Sequence, residues 1–271
     1  MNNLELNKLI YVVGSPRSGS TLIYNSLCSS KIFNPGLPEN HLVPNLVGYF
    51  LKQLERNKKE KNIFFDSNDD TLNYFKKCIE IYLQKISTKY QTDKLLLKSI
   101  VFGSNIYLMN ILFPKAKFIM TIRDPRDIIC SMLGISEKQI AQGTTPQYPR
   151  NMSTLCNFIN EKYNILSNSK YSYFTKESVI IIKYEDFIDD HQSKLNDTMK
   201  KLGIDFSFLK DHNYWDFALN LNSTSDNLYD STLWNKPISN SKIGVYKNLL
   251  TLEEINDVNK NCESLISKFN Y

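Results

Sequence analysis

The 271-residue chain is 42% hydrophobic and 23% charged, the makeup of a globular protein long enough to bury one large core. Its net charge of +5 comes from basic residues spread along the chain, which argues against nucleic-acid binding and for a local anion site. Cys28, Cys78, Cys130, Cys156 and Cys262 form neither a CxxC pair nor a metal-ligand spacing, so reduced, mostly buried thiols and no metal are expected.

Met1 to Lys8 is polar and lacks a charged-then-apolar signal pattern, so a cytoplasmic chain is expected. No apolar stretch approaches the length of a bilayer span. Leu9 to Val13 is a short β-branched run that stops at Gly14, and Ser18 to Ser29 then reads as a helix opening in small hydroxyl residues. Leu95 to Leu97, Phe118 to Ile122 and Val179 to Ile182 read as further buried strands. Between them lie helical periodicities at Val43 to Arg56, Leu72 to Lys89, Ile106 to Phe113, Ile128 to Leu133 and Met152 to Leu166.

Alternating strand and helix predicts an α/β fold, a central parallel sheet flanked by helices, in a single domain over residues 1–271. Ligands of such sheets bind beyond the carboxyl ends of the strands, where Gly14, Lys98, Arg123 and Tyr184 fall. Asp205 to Asn240 is rich in Asn, Ser and Asp and reads as a long functional loop, before Thr251 opens a final amphipathic helix ending near Phe269.

Gly14-Ser15-Pro16-Arg17-Ser18-Gly19-Ser20-Thr21 has the glycine spacing of a phosphate loop and joins a strand to a helix, so its backbone N–H groups suit an anion. Ser20 stands where a Walker A motif carries Lys, which disfavours ATP hydrolysis. Arg17 inside the loop suits charge growing on a bridging oxygen as a nucleotide phosphate departs. The plainer alternative is a glycine turn with a solvated Arg.

Phe118 to Asp127 leaves a buried strand for the charged turn Arg123-Asp124-Pro125-Arg126-Asp127, and Ser131 follows eight residues after Arg123. An Arg and a Ser so spaced suit a second phosphate. At these motifs the chain resembles the sulfotransferase family, whose members pair a PRSGT-like loop for the 5′-phosphosulfate with an Arg and a Ser for the 3′-phosphate. The resemblance continues through VIIIKYED (Val179 to Asp186) and NSKIGVYK (Asn240 to Lys247). Within the family it is closest to the branch of protein-tyrosine and bacterial sulfotransferases, through PRSGST, LPENHLVP and LLLKS.

The resemblance implies a P-loop-type fold with a central parallel sheet, 3′-phosphoadenosine 5′-phosphosulfate (PAPS) as co-substrate, adenosine 3′,5′-bisphosphate (PAP) as product, and a hydroxyl-bearing acceptor, with no metal. It implies Glu39 as general base, Lys98 on the transferring group and Ser241 assisting; His41, two residues after Glu39, is a rival base by its residue type. It also implies Pro16, Arg17, Ser18, Gly19, Ser20 and Thr21 at the 5′-phosphate, Arg123 and Ser131 at the 3′-phosphate, Tyr184 near the adenosine, and Lys242 closing over the 3′-phosphate. Pro38 stands where tyrosine sulfotransferases carry a second Glu, which argues against protein tyrosine as acceptor.

Two other readings compete: a P-loop kinase or nucleotidase using ATP or GTP, and a noncatalytic nucleotide-binding protein. Tyr148, Tyr214, Trp215 and Trp234 are candidates to line an acceptor site or to fill the core. The sequence does not specify an oligomeric state.

Overall fold

A computed structural model describes residues 8–59, 64–208 and 236–271. Four apolar runs form strands β1 (Leu9–Gly14), β2 (Leu95–Lys98), β3 (Lys117–Ile122) and β4 (Val179–Lys183). They pair in parallel in the order β2-β1-β3-β4, with Val12 opposite Lys98 and Ile119, and Ile122 opposite Lys183. A parallel sheet covered on both faces needs apolar side chains at successive positions, and every residue of β1 is buried.

The period of two along each strand divides the core. Tyr11, Val13, Leu95, Leu97, Phe118 and Met120 point into one cluster. Ile10, Val12, Leu96, Ile119, Ile180 and Ile182 point into the other. The first is roofed from α2 (Leu42–Lys59), α3 (Asn68–Tyr90), α4 (Ile106–Leu112), α5 (Pro125–Ala141) and α6 (Met152–Ser167). The second is roofed from α1 (Ser20–Cys28), α8 (Tyr184–Asp189) and α9 (His191–Lys201), which contribute Ile23, Leu27, Phe187, Leu195 and Met199. Between α6 and β4 lies α7 (Ser172–Ser178).

The short helices α7 and α8 lie outside the helical periodicities read from the sequence, and three further features depart from that expectation. α5 runs on past Leu133 to Ala141 because its inner face continues with buried polar residues; Ser136 Oγ exchanges hydrogen bonds with the backbone of Tyr148 (2.8 and 2.9 Å). α9 was not anticipated, since HQSKLNDTMKK buries only Leu195, Thr198 and Met199, too thin a stripe to read as helical periodicity. The last helix is two, α11 (Leu252–Asn261) and α12 (Glu263–Phe269), preceded by α10 (Tyr246–Leu249) and broken at buried Cys262.

Tyr148 packs in the core at 6.2 Å from the Phe158 ring. Tyr214, Trp215 and Trp234 lie outside the described residues, as does most of the Asp205 to Asn240 stretch. The five cysteines are free thiols. Among the described residues no helix is long and apolar enough to cross a membrane.

Candidate active site

The loop after β1 is shaped by positive backbone angles at Gly14 (φ 147°), Arg17 (φ 68°) and Gly19 (φ 90°). A Cβ on Gly14 would lie 2.5 Å from Thr121 Oγ1 and one on Gly19 2.4 Å from Tyr184 Cδ2, so only glycine lets the loop pass under these groups. Ser18 Oγ donates to Ser15 O (2.7 Å) and bonds Thr121 Oγ1 (2.5 Å). The Ser18 N–H also donates to the Ser15 carbonyl (3.2 Å), so both the hydroxyl and the amide of Ser18 are engaged in the loop's own structure.

A residue that sequence reasoning missed completes the loop. Tyr163, buried on α6, accepts the Ser15 N–H (3.0 Å) and donates its hydroxyl proton to the Thr121 carbonyl (2.8 Å). One phenol thus joins the start of the phosphate loop to the end of β3. Burial pushes its pKa well above the ordinary range, so it stays a neutral donor.

Lys98 ends β2 and sends Nζ to Thr21 Oγ1 at 3.0 Å, with Glu39 Oε2 at 3.9 Å. Burial lowers the Lys98 pKa; Glu39 opposes that shift and Arg17 adds to it. Glu39 is held from two sides. Its Oε1 accepts the Ile100 N–H (2.7 Å), and the next residue, Asn40, donates its N–H to the Lys98 carbonyl (2.8 Å). Asn40 is itself buried, its side chain donating to Tyr82 Oη and accepting from Val43 N–H. His41 stands exposed just before α2.

The second motif meets the loop from the side. α5 begins at Pro125, capped by Asp124, whose side chain accepts from Arg126 N–H and pairs with the Arg126 guanidinium at 2.7 Å. Arg123, 5% exposed, donates Nη1 to the Arg17 carbonyl (3.1 Å) and Nη2 to the Lys242 carbonyl, and its guanidinium carbon sits 4.5 Å from the Tyr184 ring centre. Its Nε is buried with no hydrogen-bond partner among the described residues. Arg17 Nε donates to Ser131 Oγ at 3.0 Å. The two anion motifs are therefore one cluster, with Arg17 as the link.

Tyr184 stacks against Arg123 and covers Gly19. Beside it, Glu185 accepts the Asp124 N–H and the Tyr271 hydroxyl, and burial pushes its carboxyl up. Pro16 and Ser20 are buried in the loop and at the start of α1, and Thr21 is half-buried. Ser241 and Lys242 are exposed, the Ser241 hydroxyl pairing with Ser239 at 3.0 Å.

A glycine-bearing loop leading from a parallel strand into a helix, flanked by Lys98, Arg17 and Arg123, defines a P-loop-type anion-binding α/β protein. Residues 10–207 match the family described as "Sulfotransferase family". Because that span is most of its length, the chain belongs to the sulfotransferase family.

Human protein-tyrosine sulfotransferase 1 is 29% identical over 133 residues, 46% of this chain and 34% of that protein. The chain thus spans about a third of the length of this curated relative. Among solved structures, the sulfotransferase domain from the curacin biosynthetic pathway aligns with a TM-score of 0.62 and 19% identity, covering 97% of both chains. Sulfotransferase STF9 from Mycobacterium avium aligns at 0.52 and 11%, covering 97% of this chain and 77% of its own. At these identities the likeness establishes the fold.

Proposed function

We propose that the chain, as one sulfotransferase domain over residues 1–271, transfers a sulfuryl group from PAPS to an acceptor hydroxyl in the cytoplasm, with Glu39 as general base. The observation that carries the reading is the convergence of Glu39, Lys98 and Thr21 at the rim of the phosphate loop, a carboxylate 3.9 Å from an ammonium that reaches the loop at 3.0 Å. Transfer to a hydroxyl calls for a base for its proton and a cation for the charge on the transferring oxygens. Glu39 fits the first role. Its Oε1 is taken by the Ile100 N–H, which leaves Oε2, facing Lys98, for the acceptor proton.

The nucleotide assignment is supported by the unpaired Nε of buried Arg123. Such a group is costly unless an acceptor meets it, and a 3′-phosphate oxygen is an acceptor of the right charge. Gly14 and Gly19 let the loop pass under Thr121 and Tyr184; with the Ser15 and Ser18 amides engaged within the site, the amides at the start of α1, with Ser20 and Thr21, are assigned to the 5′-phosphate. PAPS supplies the activated sulfuryl group; Arg17, Lys98 and Ser241 are the residues assigned to its charge. Arg123, Ser131, Tyr184 and Lys242 are assigned to the bisphosphate nucleotide. The sulfuryl group carries less charge than a phosphoryl group, so these cations suffice in a metal-free reading.

Two measurements test this. Calorimetric titration should find PAP bound without magnesium and in preference to ATP with magnesium; the reverse preference favours a kinase. Glu39→Gln, which can still accept the Ile100 N–H, should cut sulfate transfer by roughly 10²–10⁴ while PAP affinity stays within about twofold. Turnover retained in that variant would move the base to His41.

A further inference from the structure

Four residues after Arg123, in the first turn of α5, lies a carboxylate that the transfer chemistry does not call for. Asp127 is 1% exposed, and a buried acid beside a phosphate site is opposed by desolvation and by like charge. Both of its oxygens are nevertheless engaged, and with one segment only. Oδ2 accepts the Gly244 N–H at 2.7 Å and Oδ1 accepts the Tyr246 N–H at 3.1 Å. On the near side of the same segment, the Lys242 carbonyl accepts from Arg123 Nη2. Three main-chain groups of residues 242–246 are therefore held by two side chains at the start of one helix.

We propose that Asp127 is a positioning residue for the 3′-phosphate end of the site: its carboxylate fastens residues 242–246 to α5, sets Lys242 beside Arg123, and thereby determines preference for nucleotides that carry a 3′-phosphate. This rests on the nucleotide reading above. A carboxylate suits the task because it accepts two N–H donors at once, as charge-assisted bonds. It also occupies the Gly244 and Tyr246 amides, so the segment offers the ligand the Lys242 cation instead of its backbone. Burial raises the Asp127 carboxyl pKa, and the Gly244 N–H, Arg123 and the Tyr246 N–H oppose that shift in that order. The loop and Arg123 thus favour the charged form that grips them.

The test is calorimetric titration of the full chain with PAP and with adenosine 5′-monophosphate, which lacks the 3′-phosphate. Asp127→Asn keeps the shape but presents an amide N–H₂ to one of the two backbone donors. It should weaken PAP by about tenfold or more and leave the monophosphate within about twofold. Gly244→Val perturbs the same contact from the loop side. The new Cβ meets nothing within 4 Å, but φ is +72°, a region that β-branched residues avoid, so the strain falls on the segment and not on the core. It should show the same selective loss.

Hydrogen exchange at the Gly244 and Tyr246 amides should quicken in Asp127→Asn. A wild-type chain with no preference for PAP over the monophosphate would overturn the nucleotide reading, and this inference with it. A wild-type preference that survives in both variants, or equal weakening of both nucleotides, would overturn this inference alone.

Discussion

Tyr163→Phe isolates the bridge beneath the phosphate loop. The ring is 2% exposed and stays in place as Phe, so the substitution removes one oxygen and little packing. Two bonds go with it: the Ser15 N–H loses its acceptor at 3.0 Å, and the Thr121 carbonyl loses a donor at 2.8 Å. A buried amide left unpaired costs about 1–3 kcal/mol, and an ordinary hydrogen bond contributes about 1 kcal/mol net, so a loss of about 2–4 kcal/mol is expected. Urea unfolding reads this as a lower midpoint at unchanged slope.

The same change leaves Ser15 tied to β3, among the described residues, only through the Ser18 hydroxyl, so PAP affinity should fall as well, measured without urea at a temperature where the variant is fully folded. Because burial holds the phenol in its neutral form, the difference between the two proteins should persist into mildly alkaline buffer. A stability loss below about 0.5 kcal/mol, within the range of unremarkable substitutions, would show that the loop does not depend on this hydroxyl.

Three further outcomes follow from the geometry. Lys98 has a pKa lowered below the ordinary 10.5, first by burial, so the alkaline fall in turnover should set in below that pH and move upward in Lys98→Arg; an unmoved limb would separate Lys98 from catalysis. For stability the sign is opposite. Between the lowered folded pKa and 10.5 the unfolded chain binds more protons at Lys98, so its contribution to stability rises with pH across that window. Gly19→Ala forces a Cβ to within 2.4 Å of Tyr184 at φ +90° and should cost about 1–3 kcal/mol, with PAP affinity falling as Tyr184 shifts; unchanged unfolding and binding would refute the close passage. Thr251→Ala removes the capping box of α11 and should cost about 1 kcal/mol by urea unfolding without altering PAP affinity.

The sheet was legible because each strand is a run of β-branched or aliphatic residues ending at a charged or glycine turn, and a parallel sheet buried on both faces admits little else. The polar end of α5 and the whole of α9 were not, for one reason: their inner faces are satisfied by hydrogen bonds or by three side chains, not by an apolar stripe. The break at Cys262 was equally hidden, since Leu252 to Phe269 keeps helical periodicity across it. The helix start at Thr251 was readable, and the structure opens α11 there with a capping box of Thr251 and Glu254.

The site divides along a similar line. Residues that would meet the ligand announced themselves through motifs, because an anion needs glycines, hydroxyls and cations at set spacings. Residues that hold those groups carry no such mark. Tyr163 is 148 positions from Ser15 and reads as one more core aromatic; Asp127 reads as an acid suited to any helix start; Asn40 reads as a helix cap. Each acts through a main-chain N–H or carbonyl of a distant segment, and backbone groups are the same at every residue, so no side-chain pattern can identify the partner. What betrays them in the structure is burial with every polar atom paired. Arg123, buried yet with its Nε unpaired among the described residues, is the contrasting case, and that contrast supports its proposed assignment to the nucleotide.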